Sequence, residues 1–411
     1  MNFIKKITKS GVPLYVLPMP GANTVASGVL VNVGSRDEKM PGEAGLAHGF
    51  EHMFCQGSKK FPNKESLFEY IEEIGGVRNA FTWKEMTFFH NQVPFKEFER
   101  GVDLLSEQIQ YSLIQEEKVS KEMKVVMQEL KRRQDNPAIF SYDLTFEAVF
   151  GDHPIGHMTL GKEETLTKFN RESFISFLNR YYNSSNYTFL VAGNIDPAIA
   201  LDIFNKYFVL KSGEANARPY LPLSGKPKNP AIFYKKINQA HINLAISIAD
   251  ANLKEKWSLD LFAMMIGYGS SSPLYIEIRD KRGLCYSINA NYYWGTDYGL
   301  FKIYMATDKE KYQEAINLAF SVLTKNKNTE FLLEKAKKME LGKMARQFEN
   351  PLDIVVGAAS SAIFAKQPFG YQEVEDIIKD ISIEDIEKVV NKYLKPEQFT
   401  TILLAPEDMK I

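Results

Sequence analysis

Short stretches of this chain recur at one long, nearly constant interval, which points to two copies of one domain. His153-Pro154-Ile155-Gly156 is echoed by Gln367-Pro368-Phe369-Gly370, where 370 − 156 = 214, and Asn136-Pro137 is echoed at the same interval by Asn350-Pro351. FLVAGNID from Phe189 is echoed by ILLAPED from Ile402, with 405 − 192 = 213 for the two alanines. Solenoid repeats have periods of roughly 20–50 residues, so the repeated unit here is a whole domain. Between the copies runs KSGEANARPYLPLSGKPKNP, residues 211–230, rich in Pro, Gly, Ser and Lys and without periodicity. Such composition reads as a linker. The expected division is a first domain over 1–211, a linker over 212–230 and a second domain over 231–411.

Each copy mixes strand and helix patterns. Val12–Leu17, Val25–Val33 and Tyr187–Ala192 are β-rich and bounded by turn residues. Val77–Val93 has the form of a hairpin. Helices are expected from near Ala44 through Phe54, over 64–74 up to Gly75-Gly76, and over 96–113, 117–135 and 170–182. The chain has 411 residues, 45% hydrophobic and 25% charged, which excludes disorder and suffices for two cores. Its formal net charge of −1 leaves no basic field for general nucleic-acid binding. Cys55 and Cys285 are too few for a disulfide framework and suit a reducing compartment. The start shows no signal-peptide pattern, and no apolar run of about 18 residues occurs, so a cytoplasmic protein without a membrane span is expected.

The chemistry-bearing motif is His48-Gly49-Phe50-Glu51-His52. On a helix, positions i and i+4 share a face, so both imidazoles can reach one ion. Glu51 stands at i+3 on the same side, suited to act as a base rather than a ligand. This is the inverted order of the H-E-x-x-H zinc-protease motif. Zinc suits two neutral imidazoles, a carboxylate and one open position for water. A carboxylate from VSKEMKVVMQELKRRQD could complete the set: Glu122 and Glu129 are two helical turns apart (129 − 122 = 7) and share a face. Spacing alone leaves a solvated Glu on a Lys-rich helix as the alternative.

GSRDE (34–38), GLAHGFEHMFCQGS (45–58) and EEIGGVRNAFTWKEMTFF (72–89) resemble the pitrilysin–insulinase family of inverted zincins. The similarity is greatest to its two-domain branch, which includes mitochondrial processing peptidase and bacterial relatives, and it runs over nearly the whole chain. That resemblance puts the third ligand at a set distance after the second His, and the spacing 129 − 52 = 77 selects Glu129, with Glu122 as a supporting carboxylate. It assigns substrate contact to Asn79 and Ala80 on an edge strand that an extended peptide can join. It assigns Arg279 and Tyr286 to the substrate carbonyl and the developing oxyanion. Two departures stand out: Gly49 replaces a bulkier residue, and His157 stands where Arg is common. At the repeat interval Glu129 falls on Lys343 and no second H-x-x-E-H exists, so one Zn2+ per chain is expected.

The remaining candidates read as structural: Cys55 as a small core residue, and His90, His153 and His241 without metal partners. The expected fold class is α+β: two similar tandem α/β domains, each a mainly antiparallel sheet faced by helices, related by duplication. The expected activity is zinc-dependent endopeptidase action on unstructured peptides in a closed chamber, with Glu51 as general base. The alternative is a non-catalytic structural or peptide-binding homologue; such relatives usually lose part of His48, Glu51, His52 and Glu129, all present here. Because one chain carries both the zinc motif and the Arg–Tyr pair, the resemblance implies a homodimer, with a heterodimer with a related subunit as the other arrangement.

Overall fold

A computed structural model describes residues 2–222 and 227–409. Part of the expected linker, 223–226, lies outside the described residues. The chain forms two compact units: 1–131 with 157–219 and 345–373, and 132–156 with 220–344 and 374–411.

The first unit is built on six strands: β1 (Ile4–Ile7), β2 (Pro13–Pro18), β3 (Thr24–Val31), β4 (Val77–Thr82), β5 (Thr87–Pro94) and β6 (Tyr187–Gly193). Their order is β1-β2-β6-β3-β5-β4, with only β2 and β6 parallel. β3 is buried along almost its whole length, as a strand covered on both faces must be. On one face lie α1 (Leu46–Met53), α2 (Lys64–Glu72), α3 (Phe98–Tyr111) and α4 (Glu116–Asp135), packed around Phe50, Phe54, Phe89, Phe174 and Phe189. The helix Pro351–Phe364 packs on β3, β5 and β6 as well. The expected hairpin resolves into β4 and β5, and β4 is the free edge of the sheet.

The second unit repeats this plan. β7 (Ala231–Lys235), β8 (Ala240–Ser247), β9 (Cys285–Trp294), β10 (Gly299–Thr307) and β11 (Thr400–Pro406) take the order β7-β11-β8-β10-β9. Its one parallel pair, β7 with β11, matches β2 with β6. α5 (Pro137–Phe150) packs on β8 and β11 through Leu144, Phe146, Val149 and Phe150.

The compact units therefore draw on both halves of the sequence. α5 belongs to the first copy by sequence but covers the second sheet. Its repeat counterpart Pro351–Phe364, which starts at the repeat interval from it (351 − 137 = 214), covers the first. Both helices begin at the Asn-Pro pair noted in the repeat. Asn136 accepts a hydrogen bond from the Ile139 N–H and Asn350 from the Leu352 N–H, and Pro fills the first helical position, where no N–H is needed.

The first part of the linker is strapped to the first unit. Arg218 donates from Nε and Nη2 to both Asp37 carboxylate oxygens at 2.8 and 2.7 Å, and from Nη1 to Asn32 Oδ1 at 2.6 Å. Asn216 Nδ2 adds a bond to the Asn32 carbonyl at 2.8 Å. Composition showed the loop but not this anchor. Only 9% of the Arg218 side chain and 5% of the Asp37 side chain are exposed, so removing one partner leaves the other charge buried. Arg218→Ala should lower stability by about 3–5 kcal/mol, and the added loss from Asp37→Ala should be far less than additive, read from urea midpoints.

Candidate metal centre

α1 has the sequence LAHGFEHM, and its register decides what faces where. Leu46, Ala47, Gly49, Phe50 and Met53 are buried, which leaves His48, Glu51 and His52 as the opposite stripe. Phe50 anchors the helix against Phe54 and Tyr182, both at 4.5 Å between ring centroids, and against Phe177 at 5.7 Å. The first turn is held by Glu38, whose carboxylate oxygens accept from the Gly45 and Ala47 N–H groups at 3.0 and 2.9 Å. The helix starts at Leu46 rather than near Ala44 because Gly45 takes φ +93°, a left-handed turn suited to glycine.

α4 turns Val119, Glu122, Met123, Val126 and Leu130 inward, and the same face brings Glu129 to α1. The two helices meet at Gly49. A Cβ there would come within 3.1 Å of the Met123 methyl and 3.3 Å of the Phe174 ring. The small residue therefore permits the close approach that the ligands require.

His48, His52 and Glu129 converge, with one ligand atom from each lying within 4.8 Å of the others. Glu129 Oε2 is 3.7 Å from His48 Nε2 and 3.5 Å from His52 Nε2. Ligands about 2.1 Å from a tetrahedral zinc stand about 3.4 Å apart, so the donor set fits that ion with small adjustment. Glu122 Oε2 lies 3.5 Å from His52 Nδ1, where it orients the ring so that Nε2 faces the centre. Glu51 accepts a hydrogen bond from Thr82 Oγ1 at 2.7 Å, which ties the motif helix to the edge strand.

The electrostatics follow this packing. Burial pushes the Glu51 carboxyl up, partly offset by Thr82 and His52, and Glu129 adds to the rise. Burial disfavours a charged His52, but hydrogen bonds to Glu122 and Glu129 outweigh it and raise its pKa to about 9. Burial alone pushes His90 down to about 4 and lowers His241, whose Nδ1 lies 3.0 Å from the Tyr304 hydroxyl. His153 Nε2 lies 3.2 Å from the Leu221 carbonyl. The His157 carbonyl accepts from the Lys84 ammonium.

The other expected site residues are equally well defined. On β4, Asn79 is exposed, while Ala80 is half-buried against the core. In the second unit, the Arg279 guanidinium lies 4.7 Å from the centroids of both the Tyr275 and Tyr286 rings, and Tyr286 is 73% exposed. Lys343 pairs with Glu340 at 3.2 Å. Among the described residues, His48, His52 and Glu129 form the only His, Cys, Asp or Glu cluster able to hold a metal. Cys55 is half-buried rather than in the core, with Arg78 and Gln108 at 3.6 and 3.8 Å from its sulfur. The roles of Thr82 and Glu38 were missed in the sequence; the alternation that puts Thr82 on the same face as Ala80 was the available signal for the first.

Residues 17–163 match the family described as Insulinase (Peptidase family M16), and 168–340 match the one described as Peptidase M16 inactive domain. An uncharacterized zinc protease of Rickettsia bellii is 30% identical over 423 residues, covering 99% of this chain and 98% of that protein. The chain belongs to the insulinase (peptidase M16) family. Among solved structures, a Helicobacter pylori protease superposes on this insulinase-family chain with TM-score 0.88 at 23% identity, over 98% of this chain and 99% of that one. A chain of Complex III2 from Candida albicans does so with TM-score 0.85 at 14% identity, over 99% and 97%. The fold is thus shared by a protease and a chain of Complex III2, and function rests on the site. No helix among the described residues is long and apolar enough to cross a membrane.

Metal removal should expose the His52 titration. The folded-state pKa of about 9 lies above the unfolded value of about 6.5. The associated stabilisation is therefore complete below about pH 6.5 and lost as pH rises through about 9, by at most roughly 3 kcal/mol. Urea unfolding of chelator-treated protein should show this fall, and Glu122→Gln should flatten it. Zinc-loaded protein should lose this fall and instead gain stability with rising pH only below about pH 7, where the unfolded imidazoles still take protons that the ligand imidazoles cannot.

Proposed function

We propose that this chain is a zinc-dependent endopeptidase that hydrolyses unstructured peptides, with one ion per chain. The observation that carries the reading is the convergence of His48, His52 and Glu129 beside a Glu51 tied by Thr82 to an edge strand. Zinc held by these ligands would polarise the scissile carbonyl and acidify water. Glu51, its carboxyl raised by burial, accepts the proton of the attacking water. It returns that proton to the amine as the C–N bond breaks. Glu122 keeps His52 oriented throughout.

The edge position of β4 supports recognition through main chain. Its outer N–H and C=O groups can pair with an extended peptide, and the small Ala80 side chain lets that backbone approach. A folded substrate has few free strands to offer, hence unstructured peptides.

Glu51→Gln should keep one zinc per chain, read by atomic absorption, and reduce cleavage of a random peptide pool at least about a hundredfold. Glu129→Gln should lower the metal content itself. Near-normal turnover by Glu51→Gln would remove Glu51 from the mechanism.

Arg279 and Tyr286 supply hydrogen-bond donors for the carbonyl oxygen, and this reading assigns them to a second copy of the chain in a twofold dimer. Arg279 is stacked between two tyrosines and Tyr286 is exposed, so both are available to a substrate. Glu51→Gln and the Arg279→Ala, Tyr286→Phe double variant should each be nearly inactive. After subunit exchange, about half the dimers are mixed and each holds one intact site of two, so activity should return to roughly a quarter of wild type. No recovery despite exchange shown by native mass spectrometry would rule out sharing between copies.

A further inference from the structure

One face of β4 carries more than the link to Glu51. Arg78, Ala80 and Thr82 alternate onto the same side of the strand. Thr82 meets Glu51, and Arg78 Nη1 lies 3.6 Å from the sulfur of Cys55, just beyond the C-terminal end of α1. The Arg78 guanidinium stacks on the Phe68 ring of α2, 3.2 Å from its centroid. The Lys64 ammonium reaches the same ring at 5.3 Å. Two cations thus share one aromatic platform, and all three side chains are half-buried.

Neither cation makes an ion pair among the described residues. There, the Cys55 sulfur is the only hydrogen-bond partner of the Arg78 side chain, and that thiol is itself pushed up by burial. Glu72 acts on Arg78 only through its longer-range field, as Lys64 and Glu122 act on one another. Half-buried arginine is usually satisfied by a carboxylate, because its planar fork matches two oxygens. Here that fork is held flat on a ring, beside the strand edge that a peptide would join.

We propose that Lys64, Phe68 and Arg78 form a subsite for a carboxylate of the bound peptide, giving a preference for an acidic residue to one side of the cleaved bond. A peptide residue paired opposite Arg78 puts its side chain on the same face, about 5 Å away at Cβ. It lies four residues, about 13 Å along the strand, from the residue facing Thr82 and Glu51. The preference is therefore positional. The carboxylate could come from an Asp or Glu side chain or from the peptide's C-terminus, and both have the chemistry that the cations accept.

This inference rests on strand addition at β4, so the test separates the two. Full-length Glu51→Gln protein loaded with zinc is titrated with fluorescent dodecapeptides, and Kd is read by anisotropy. One Glu is walked along a neutral sequence and compared with Gln at each position; a parallel pair differs only in a C-terminal acid or amide. A single Glu position should bind about tenfold more tightly than its Gln partner, the scale of one charge-assisted hydrogen bond. Alternatively, the acid terminus should show that gain at one peptide length, which would identify the terminus as the source. Arg78→Glu should reverse the preference towards Lys, and Lys64→Glu should do so more weakly, which covers the case in which the first variant fails to fold. No gain at any position or terminus, or a Glu preference that survives both reversals, overturns the subsite. Strand addition is judged separately: Ala80→Pro should weaken every peptide alike, and if it weakens none, that reading fails whatever Arg78 does.

Discussion

The contact between α1 and α4 at Gly49 sets the geometry of the centre. His48 and His52 come from one helix and Glu129 from the other, so the distance between the helices is the distance between ligands. The Met123 methyl and the Phe174 ring fill the space that a side chain at position 49 would take. A bulkier residue would need these neighbours to move, and core overpacking typically costs about 1–3 kcal/mol. Gly49 is therefore a packing solution within this core. A helix of only eight residues is marginal alone. It holds its register because Glu38 satisfies two N–H groups of its first turn, Phe50 is locked among rings and Thr82 holds Glu51.

Features that depend on local pattern were legible in the sequence. The spacing of His48 and His52 fixes a shared face on any helix, and Val77–Val93 reads as a hairpin or paired strands. Glu129 was not legible by spacing alone, because Glu122 lies on the same face; separating ligand from supporting carboxylate needed the resemblance. Their surroundings differ plainly in the fold: Glu122 is buried behind His52 Nδ1, whereas Glu129 stands between the two Nε2 atoms. Glu38 and Arg218 were out of reach for another reason. Each acts on a partner that only the folded chain brings close, Glu38 on the N–H groups of Gly45 and Ala47, Arg218 on Asp37 and Asn32.

The repeat announced two domains but hid their exchange. Asn136-Pro137 and Asn350-Pro351 look like ordinary helix starts, and they are. A local signal cannot tell which sheet the helix will cover. α5 carries Leu144, Phe146, Val149 and Phe150 to a sheet whose first strand begins only at Ala231, beyond the linker, and its counterpart returns to β3 and β6. Each unit thus needs residues from both copies to complete its core. The apparent domain boundary at the linker is a boundary of duplication, not of independent stability.

The second unit shows what the centre becomes without a place for an ion. Lys343 occupies the repeat position of Glu129, and it sits among acids: it pairs with Glu340 at 3.2 Å and lowers the pKa of Asp260. Burial first, then Glu340, push Asp260 the other way, up to about 7. One attached cation therefore faces two carboxyls and balances them only in part. The first unit has the converse problem. Glu51, Glu122 and Glu129 crowd two imidazoles, and without an ion His52 takes a proton to offset them. A dication at the three ligands would neutralise that excess, whereas in the second unit a lysine, bound covalently and unable to leave, already supplies much of the charge. The second copy lacks the two imidazoles as well as the carboxylate, because Phe262 and Ile266 stand at the repeat positions of His48 and His52, so among the described residues the donor set converges in the first unit alone.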